Sequence, residues 1–283
     1  MASKRLSGRL TLPHPRRIAR TVCTFVILRR PNHRWPLLIA ANRDEMADRP
    51  WRPPGRHWPD RPEVVGGMDE LAGGTWCAIN DDGVVAAILN RINTLGPAPG
   101  LRSRGELPLE ALDHAEAHCA AAALADLNPL AYRPFNLVVA DARDAYWIRL
   151  RGGDGDAGPA VDVLEVPEGY SMITAYDRND LASPRIRRYL PRFRAAAVPD
   201  PDAGDWRAWA ALLAEREHDP EAGPGGAMNV VTATGFGTIC SSLLALPAAE
   251  GDEDGGAEAE EIKPVWRFAA WTDAPGNYTT VEL

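Results

Sequence analysis

Two stretches near the start decide the reading: Cys23-Thr-Phe-Val-Ile-Leu-Arg-Arg30 and Pro36-Leu-Leu-Ile-Ala-Ala-Asn-Arg-Asp-Glu45. The first is β-branched and apolar from Thr24 to Leu28, which favours a strand. The second repeats that character from Leu37 to Ala41. Pro31-Asn-His-Arg34 between them carries turn chemistry. The pair reads as a β-hairpin, with Asn42-Arg43-Asp44-Glu45 at the end of its second strand. A hairpin sets the start of one strand beside the end of the next. Cys23, Arg43 and Asp44 are therefore expected to meet in space.

Outward from the hairpin, turns and strands alternate. Arg49–Pro62 is rich in Pro, Trp and Arg and reads as a loop. Gly73–Asn80 and Val84–Asn90 flank Asp81-Asp82-Gly83 and form a second hairpin. Ser103–Leu127 is the best helix, with Ser103 and Glu106 in capping-box register. Phe135–Ala140 and Ala145–Leu150 pair across a short turn, and Val161–Val166 and Tyr170–Thr174 are further strands. Ser183–Ala197 and Asp205–Arg216 read as helices, and Gly237–Leu246 and Val265–Trp271 as late strands. The order predicts an α+β fold with largely antiparallel sheets. No linker divides residues 23–283, so one domain is expected. The stretch 248–263 holds seven acids before Lys263 and reads as a solvated, mobile loop.

Composition narrows the function classes. The chain has 283 residues and a net charge of −8, which argues against a nucleic-acid partner. Cys23, Cys77, Cys119 and Cys240 lie far apart, without zinc-ligand spacing or a disulfide framework. His114 and His118 stand four residues apart on the expected helix, but no third ligand is near, so no metal is expected. Trp35, Trp51 and Trp58 flank the Pro/Arg loop, where they can wall an apolar pocket or stack on their neighbours. No apolar run approaches the roughly 18 residues of a membrane span.

Residues 1–22 are basic and acid-free. They lack an apolar core and a cleavage site for secretion. The composition fits a transit peptide, a basic arm, or a stretch upstream of the true start. Arg occurs 29 times and Lys twice. This bias suggests a GC-rich gene, in which Val22 would be a GTG start codon. Removal of the initiating Met would then leave Cys23 at the N-terminus, where its α-amine can activate its own thiol. The first 20 residues hold six of the 31 bases and none of the 39 acids, so the remainder carries 25 − 39 = −14. A start at Val22 implies a cytoplasmic protein, and a genuine transit segment an organellar one. In either case residues 1–22 are expected to pack poorly and to occlude or bypass the mouth of the site.

Arginine beside Cys23 is expected to lower the thiol pKa, and the Asn90 amide to donate to an oxyanion. Each of these residues also has an ordinary reading: a buried strand cysteine, a local Arg–Asp pair, a loop-capping Asn.

The ordered blocks Cys23-Thr-Phe, Leu38–Glu45, Gly73-Gly-Thr-Trp76, Ser103-Arg-Gly-Glu-Leu107 and Gly237-Thr238 resemble the NRDE family, the relatives of transport and Golgi organisation protein 2. The resemblance runs from Cys23 to about Leu283. That family is similar to N-terminal nucleophile hydrolases of the choloylglycine hydrolase and penicillin acylase type. The resemblance implies a four-layer αββα sandwich and cleavage of a small linear amide without a cofactor. It assigns catalytic roles to Cys23, Arg43, Asp44 and Asn90, with Asn42, Glu45, Trp76 and Arg104 as substrate-binding residues. It also allows a non-catalytic carrier of a haem-like, lipid or acyl-CoA ligand. Two positions depart from the hydrolase pattern. Ala175 stands where a second Asn is expected and Ile239 where an Arg is expected. Arg185, Arg187 or Arg188 can replace that Arg only if the fold brings one of them near. Oligomeric state is open.

Overall fold

The computed structural model describes residues 23–153, 158–249, 262–271 and 276–283. The expectations for residues 1–22 and for most of the acidic loop lie outside them.

Two antiparallel sheets stack face to face. One has the order β10-β1-β2-β11-β12-β13, built from β1 (Thr24–Arg29), β2 (Leu37–Met46), β10 (Gly169–Ile173), β11 (Phe236–Leu246), β12 (Val265–Ala270) and β13 (Thr279–Thr280). The other is a meander of β3 (Trp51–Gly55), β4 (Val64–Asp69), β5 (Thr75–Asn80), β6 (Val85–Asn90), β7 (Phe135–Ala140), β8 (Ala145–Arg151) and β9 (Ala160–Glu165). Phe25, Ile39, Ile79, Val138, Leu244 and Trp266 fill the space between the sheets. Helices α1 (Leu107–Ala111) and α2 (Ala117–Ala125) bury Leu107, Leu112 and Leu124 against the outer face of the meander. Helices α3 (Pro184–Ala195) and α4 (Arg207–Leu213) bury Ile186, Phe193 and Trp209 against the other sheet. Three apolar layers thus separate four structural layers, an αββα sandwich. Among the described residues no helix is long and apolar enough to cross a membrane.

The expected hairpin is β1–β2, with Thr24 opposite Asn42 and Phe25 opposite Ala41. The strand does not stop before Asn42-Arg43-Asp44-Glu45, because β11 pairs with it through Met46. Side chains therefore alternate through this tetrapeptide: one set faces the second sheet, the other the α3–α4 layer.

Two expectations are corrected. The long helix over Ser103–Leu127 is two helices broken at 112–116. Asn80 causes the break, since its Nδ2 donates to the carbonyls of Leu112 and His114 at 3.0 and 2.9 Å. The N-terminus of α2 is capped from outside, Ala117 N–H donating to Asp141 at 2.8 Å. No capping box forms, because Ser103 accepts from Gly105 and Glu106 accepts from the Tyr132 hydroxyl. His114 consequently sits in the break and not on a helix face with His118. Second, the Pro/Arg loop contains edge strand β3, where Pro53 and Pro54 are tolerated because one side makes no ladder. Of the two readings of the tryptophans, packing on neighbours is the one found among the described residues. Trp35 is buried and donates to Asp202, Trp58 is buried and donates to Gly73 O, and Trp51 packs edge-on against Trp76 and Phe268.

Candidate functional site: a cleft at the open end of the sandwich

Where β1 begins and β2 and β6 end, an open cleft of about 530 Å³ enters between the sheets. Cys23, Arg43, Asp44, Glu45, Trp76, Asn90 and Arg104 line it. These are seven of the eight residues singled out in the sequence. Behind Cys23 lies a far smaller recess of about 20 Å³, lined by Phe25, Trp76, Cys77, Leu89 and Cys240 among others.

Asn42, the eighth, borders only the recess behind Cys23, and its side-chain amide is engaged elsewhere. Alternation turns its side chain to the α3–α4 layer. There its Nδ2 donates to Leu213 O and Met228 O at 3.0 Å each, and its Oδ1 accepts from the Ser241 hydroxyl. It ties the helix layer to the sheet.

The Asp44 carboxylate also faces that layer and is fully enclosed. It accepts from Arg185 Nη2 at 2.9 Å and from the Thr238 hydroxyl at 2.6 Å. Arg185, from α3, also donates to Thr24 Oγ1 at 2.6 Å and to Gly225 O at 3.1 Å. Burial pushes Asp44 above the usual carboxylate range, and Arg185 followed by Thr238 opposes it. Ile239, where an Arg was sought, lies in the core between the sheets at a bulge of β11, and Ala175 is fully buried. The guanidinium facing Asp44 thus arrives from another element.

The local Arg43–Asp44 pair does not form. Arg43 Nη2 pairs with Asp69 at 3.1 Å, and its guanidinium lies 3.9 Å over the Trp76 ring. Its Nη1 is buried without a hydrogen-bond partner among the described residues. Arg49 holds the same Asp69 through Nε and Nη2 at 2.6 and 3.0 Å. Sequence reasoning missed Asp69. The available signal was Asp69 opening Asp-Glu-Leu-Ala-Gly73, a pattern that makes an Asx turn. Asp69 Oδ1 accepts from the N–H groups of Leu71 and Ala72.

Trp76 depends on a neighbour without a side chain. A Cβ at Gly67 would lie 2.1 Å from the indole. Gly67→Ala is therefore expected to displace Trp76 from Arg43 and to destabilise the fold by about 1–3 kcal/mol. Tryptophan fluorescence and urea unfolding check this; unchanged emission and stability would contradict it.

The Cys23 thiol donates to Asp44 O at 3.7 Å. The expected lowering of its pKa does not occur. Burial, then the Asp44 charge, push it up to about 11, and Arg43 opposes them more weakly. Arg104 is a cation held by Thr94 Oγ1 and Pro134 O at 2.9 and 3.0 Å. Burial, then Arg133, lower it to about 10, so it stays charged at neutral pH. Glu45 accepts from Met46 N at 2.9 Å, and its other oxygen is 3.8 Å from Arg49. The Asn90 amide is half-buried and makes no hydrogen bond among the described residues.

Outside the cleft, Glu116, His118 and Cys119 are close enough to share a metal ion, with His118 and Cys119 exposed. The His118 ring already bridges the other two, Nδ1 lying 3.4 Å from Glu116 and Nε2 3.3 Å from Cys119.

Comparison with curated proteins finds no match. Among solved structures, the Caenorhabditis elegans N-acylethanolamine-hydrolyzing acid amidase ortholog is similar over 78% of this chain and 92% of its own. Its TM-score is 0.45 and its sequence identity 12%. The family profile of Transport and Golgi organisation 2 matches residues 22–175, more than half of the 283 residues and all of the segment that carries Cys23, Asn42–Glu45, Trp76, Asn90 and Arg104. The chain belongs to the Transport and Golgi organisation 2 family.

Proposed function

We propose that the protein, matured to begin at Cys23, is a cysteine amidohydrolase acting on a small linear amide in the cytoplasm. The observation that carries this reading is the company of Cys23: in one cleft with it stand the Asn90 amide and Arg43 Nη1, neither of which has a hydrogen-bond partner among the described residues.

Cys23 Sγ attacks the amide carbonyl carbon, and its proton passes to the Cys23 α-amine. A base is needed, because a thiol with a pKa near 11 is only about 0.01% thiolate at neutral pH. Asn90 donates to the oxyanion, and Arg43 offers Nη1 to the same charge or to a substrate anion. Collapse breaks the C–N bond, and the departing amine takes the proton from the ammonium. Water then attacks the thioester, the α-amine accepts the water proton, and the C–S bond breaks to return the thiol. Asp44 acts by position: its carbonyl receives the thiol, and its buried carboxylate fixes the end of β2. No step calls for a metal or organic cofactor.

The test is the intact mass of protein expressed from its natural gene. A chain starting at Cys23 is expected; one that keeps residues 1–22 would end the role of the amine as base.

A second reading, a carrier of a haem-like, lipid or acyl ligand, draws support from the high thiol pKa and from apolar Ala175 and Ile239. Ligand binding without amide turnover, unaltered in Cys23→Ser, would favour it.

A further inference from the structure

The chain is acidic, at −8 overall, yet the cleft is not. Five arginines line it: Arg43, Arg49, Arg102, Arg104 and Arg133. Three are matched by carboxylates. Arg43 and Arg49 share Asp69, and Arg102 binds Glu106 and Glu110. Arg104 and Arg133 make no ion pair among the described residues; both are held by neutral oxygens, and the Glu45 charge acts on Arg104 only weakly, behind burial and Arg133. Arg133 donates to the carbonyls of Asn93, Leu95, Gly96 and Pro97 at 2.7–3.3 Å. Arg104 uses Nη1 alone, on Thr94 and Pro134, so Nε and Nη2 stay available. Two guanidiniums anchored on one loop wall repel each other, and the lowering of Arg104 by Arg133 expresses that repulsion. The arrangement is relieved by an anion.

The same cleft has an apolar rim. Met46, Leu71, Leu95 and Leu101 are among its lining residues and are exposed, Leu71 at 67%. Exposed aliphatic side chains gathered at one mouth, beside unmatched cations, suit a molecule with both characters.

We propose that the ligand of this cleft is an amphipathic anion, with a carboxylate or phosphate seated on Arg104 and an aliphatic or aromatic body against Met46, Leu71, Leu95 and Leu101. As a statement about the substrate this rests on the amidohydrolase reading; as a statement about binding it stands without it.

Octanoate, octyl phosphate, octylammonium and 1-octanol are the probes, titrated calorimetrically into the full chain. None is an amide, so turnover does not enter. At least one anion is expected to bind about 10- to 100-fold more tightly than octanol, the range of one charge-assisted contact. Octylammonium should be the weakest. Preference for octanoate identifies a carboxylate, and preference for octyl phosphate a phosphate. Arg104→Gln should abolish the anion preference and leave octanol unchanged. Arg104→Lys should keep part of it, and added salt should weaken it. Leu101→Asp should weaken anions and octanol together. Thermal melts establish that each variant is folded. Octylammonium or octanol binding as tightly as both anions, or an Arg104→Gln protein with unaltered anion affinity, would overturn the proposal. If the anions bind through Arg104 but chains starting at Cys23 cleave no anionic amide, the hydrolase reading fails and the subsite stands.

Discussion

Arg185→Met is expected to lower the stability of the fold by about 3–5 kcal/mol. Arg185 and Asp44 are almost wholly withdrawn from water, at 3% and 0% side-chain exposure, and meet at 2.9 Å. Solvent does not screen such a pair, and removing one partner leaves the other charge stranded. The loss should depend on pH. Burial already raises Asp44 above its usual range, and Arg185 is the strongest influence lowering it. Without Arg185 the folded-state pKa rises further. A carboxylate whose pKa is raised on folding contributes stability below its unfolded pKa and loses it as pH climbs through the folded value. The variant should therefore be closest to wild type in mild acid and furthest from it in base. Urea unfolding at about pH 5 and about pH 8 measures both deficits. Arg185→Lys should fall short of rescue, because one ammonium cannot reach Thr24, Asp44 and Gly225 as the planar fork does. Asp44→Leu added to Arg185→Met should recover part of the loss, since an apolar pair strands no charge. A deficit below about 1 kcal/mol, or one equal at both pH values, would show that the pair does not anchor the end of β2.

The same pair marks where sequence reasoning stopped. The β1–β2 hairpin was legible because its apolar runs, turn residues and length agree. The sheets and the α+β class followed from similar local signals. The αββα layering came only through the family resemblance, since layering depends on which faces meet. The break in the helix over Ser103–Leu127 was hidden because its cause, Asn80, lies in another hairpin. Arg43 and Asp44 both border the cleft, but the local Arg–Asp pair that the sequence allowed does not form. Neighbours along a strand point to opposite faces, so Arg43 finds Asp69 from the meander and Asp44 finds Arg185 from α3. Long-range charge pairing of this kind has no period and no fixed spacing. The engagement of Asn42 was hidden for the same reason: its alternation was legible, but the identity of each face was not.

The second large effect concerns Cys23 and its pH dependence. In a chain that begins at Cys23, Cys23→Ala is expected to lower amide turnover by at least about 10⁴-fold, in the range seen when a catalytic nucleophile is removed. Cys23→Ser should be little better, because the weaker nucleophile must lose its proton in the same enclosed position. The pH profile identifies the base. A free α-amine has a pKa of about 7.7–8.0. The Asp44 charge that helps raise the thiol also favours an ammonium beside it, so the midpoint should lie at or above about 8. The amine accepts a proton only when neutral, so turnover should rise with pH through that midpoint and be lost below it. In the chain that keeps residues 1–22 the α-amine of Cys23 is bound in a peptide. Its iodoacetamide labelling should then follow the thiol itself, climbing towards about 11. Labelling of both forms across the pH range, read by mass at Cys23, makes the comparison. Two distinct midpoints, with turnover following the lower one, identify the amine as the base. A single midpoint near the thiol value in both forms would assign activation to another group, and the reaction would then have no use for an N-terminal Cys23.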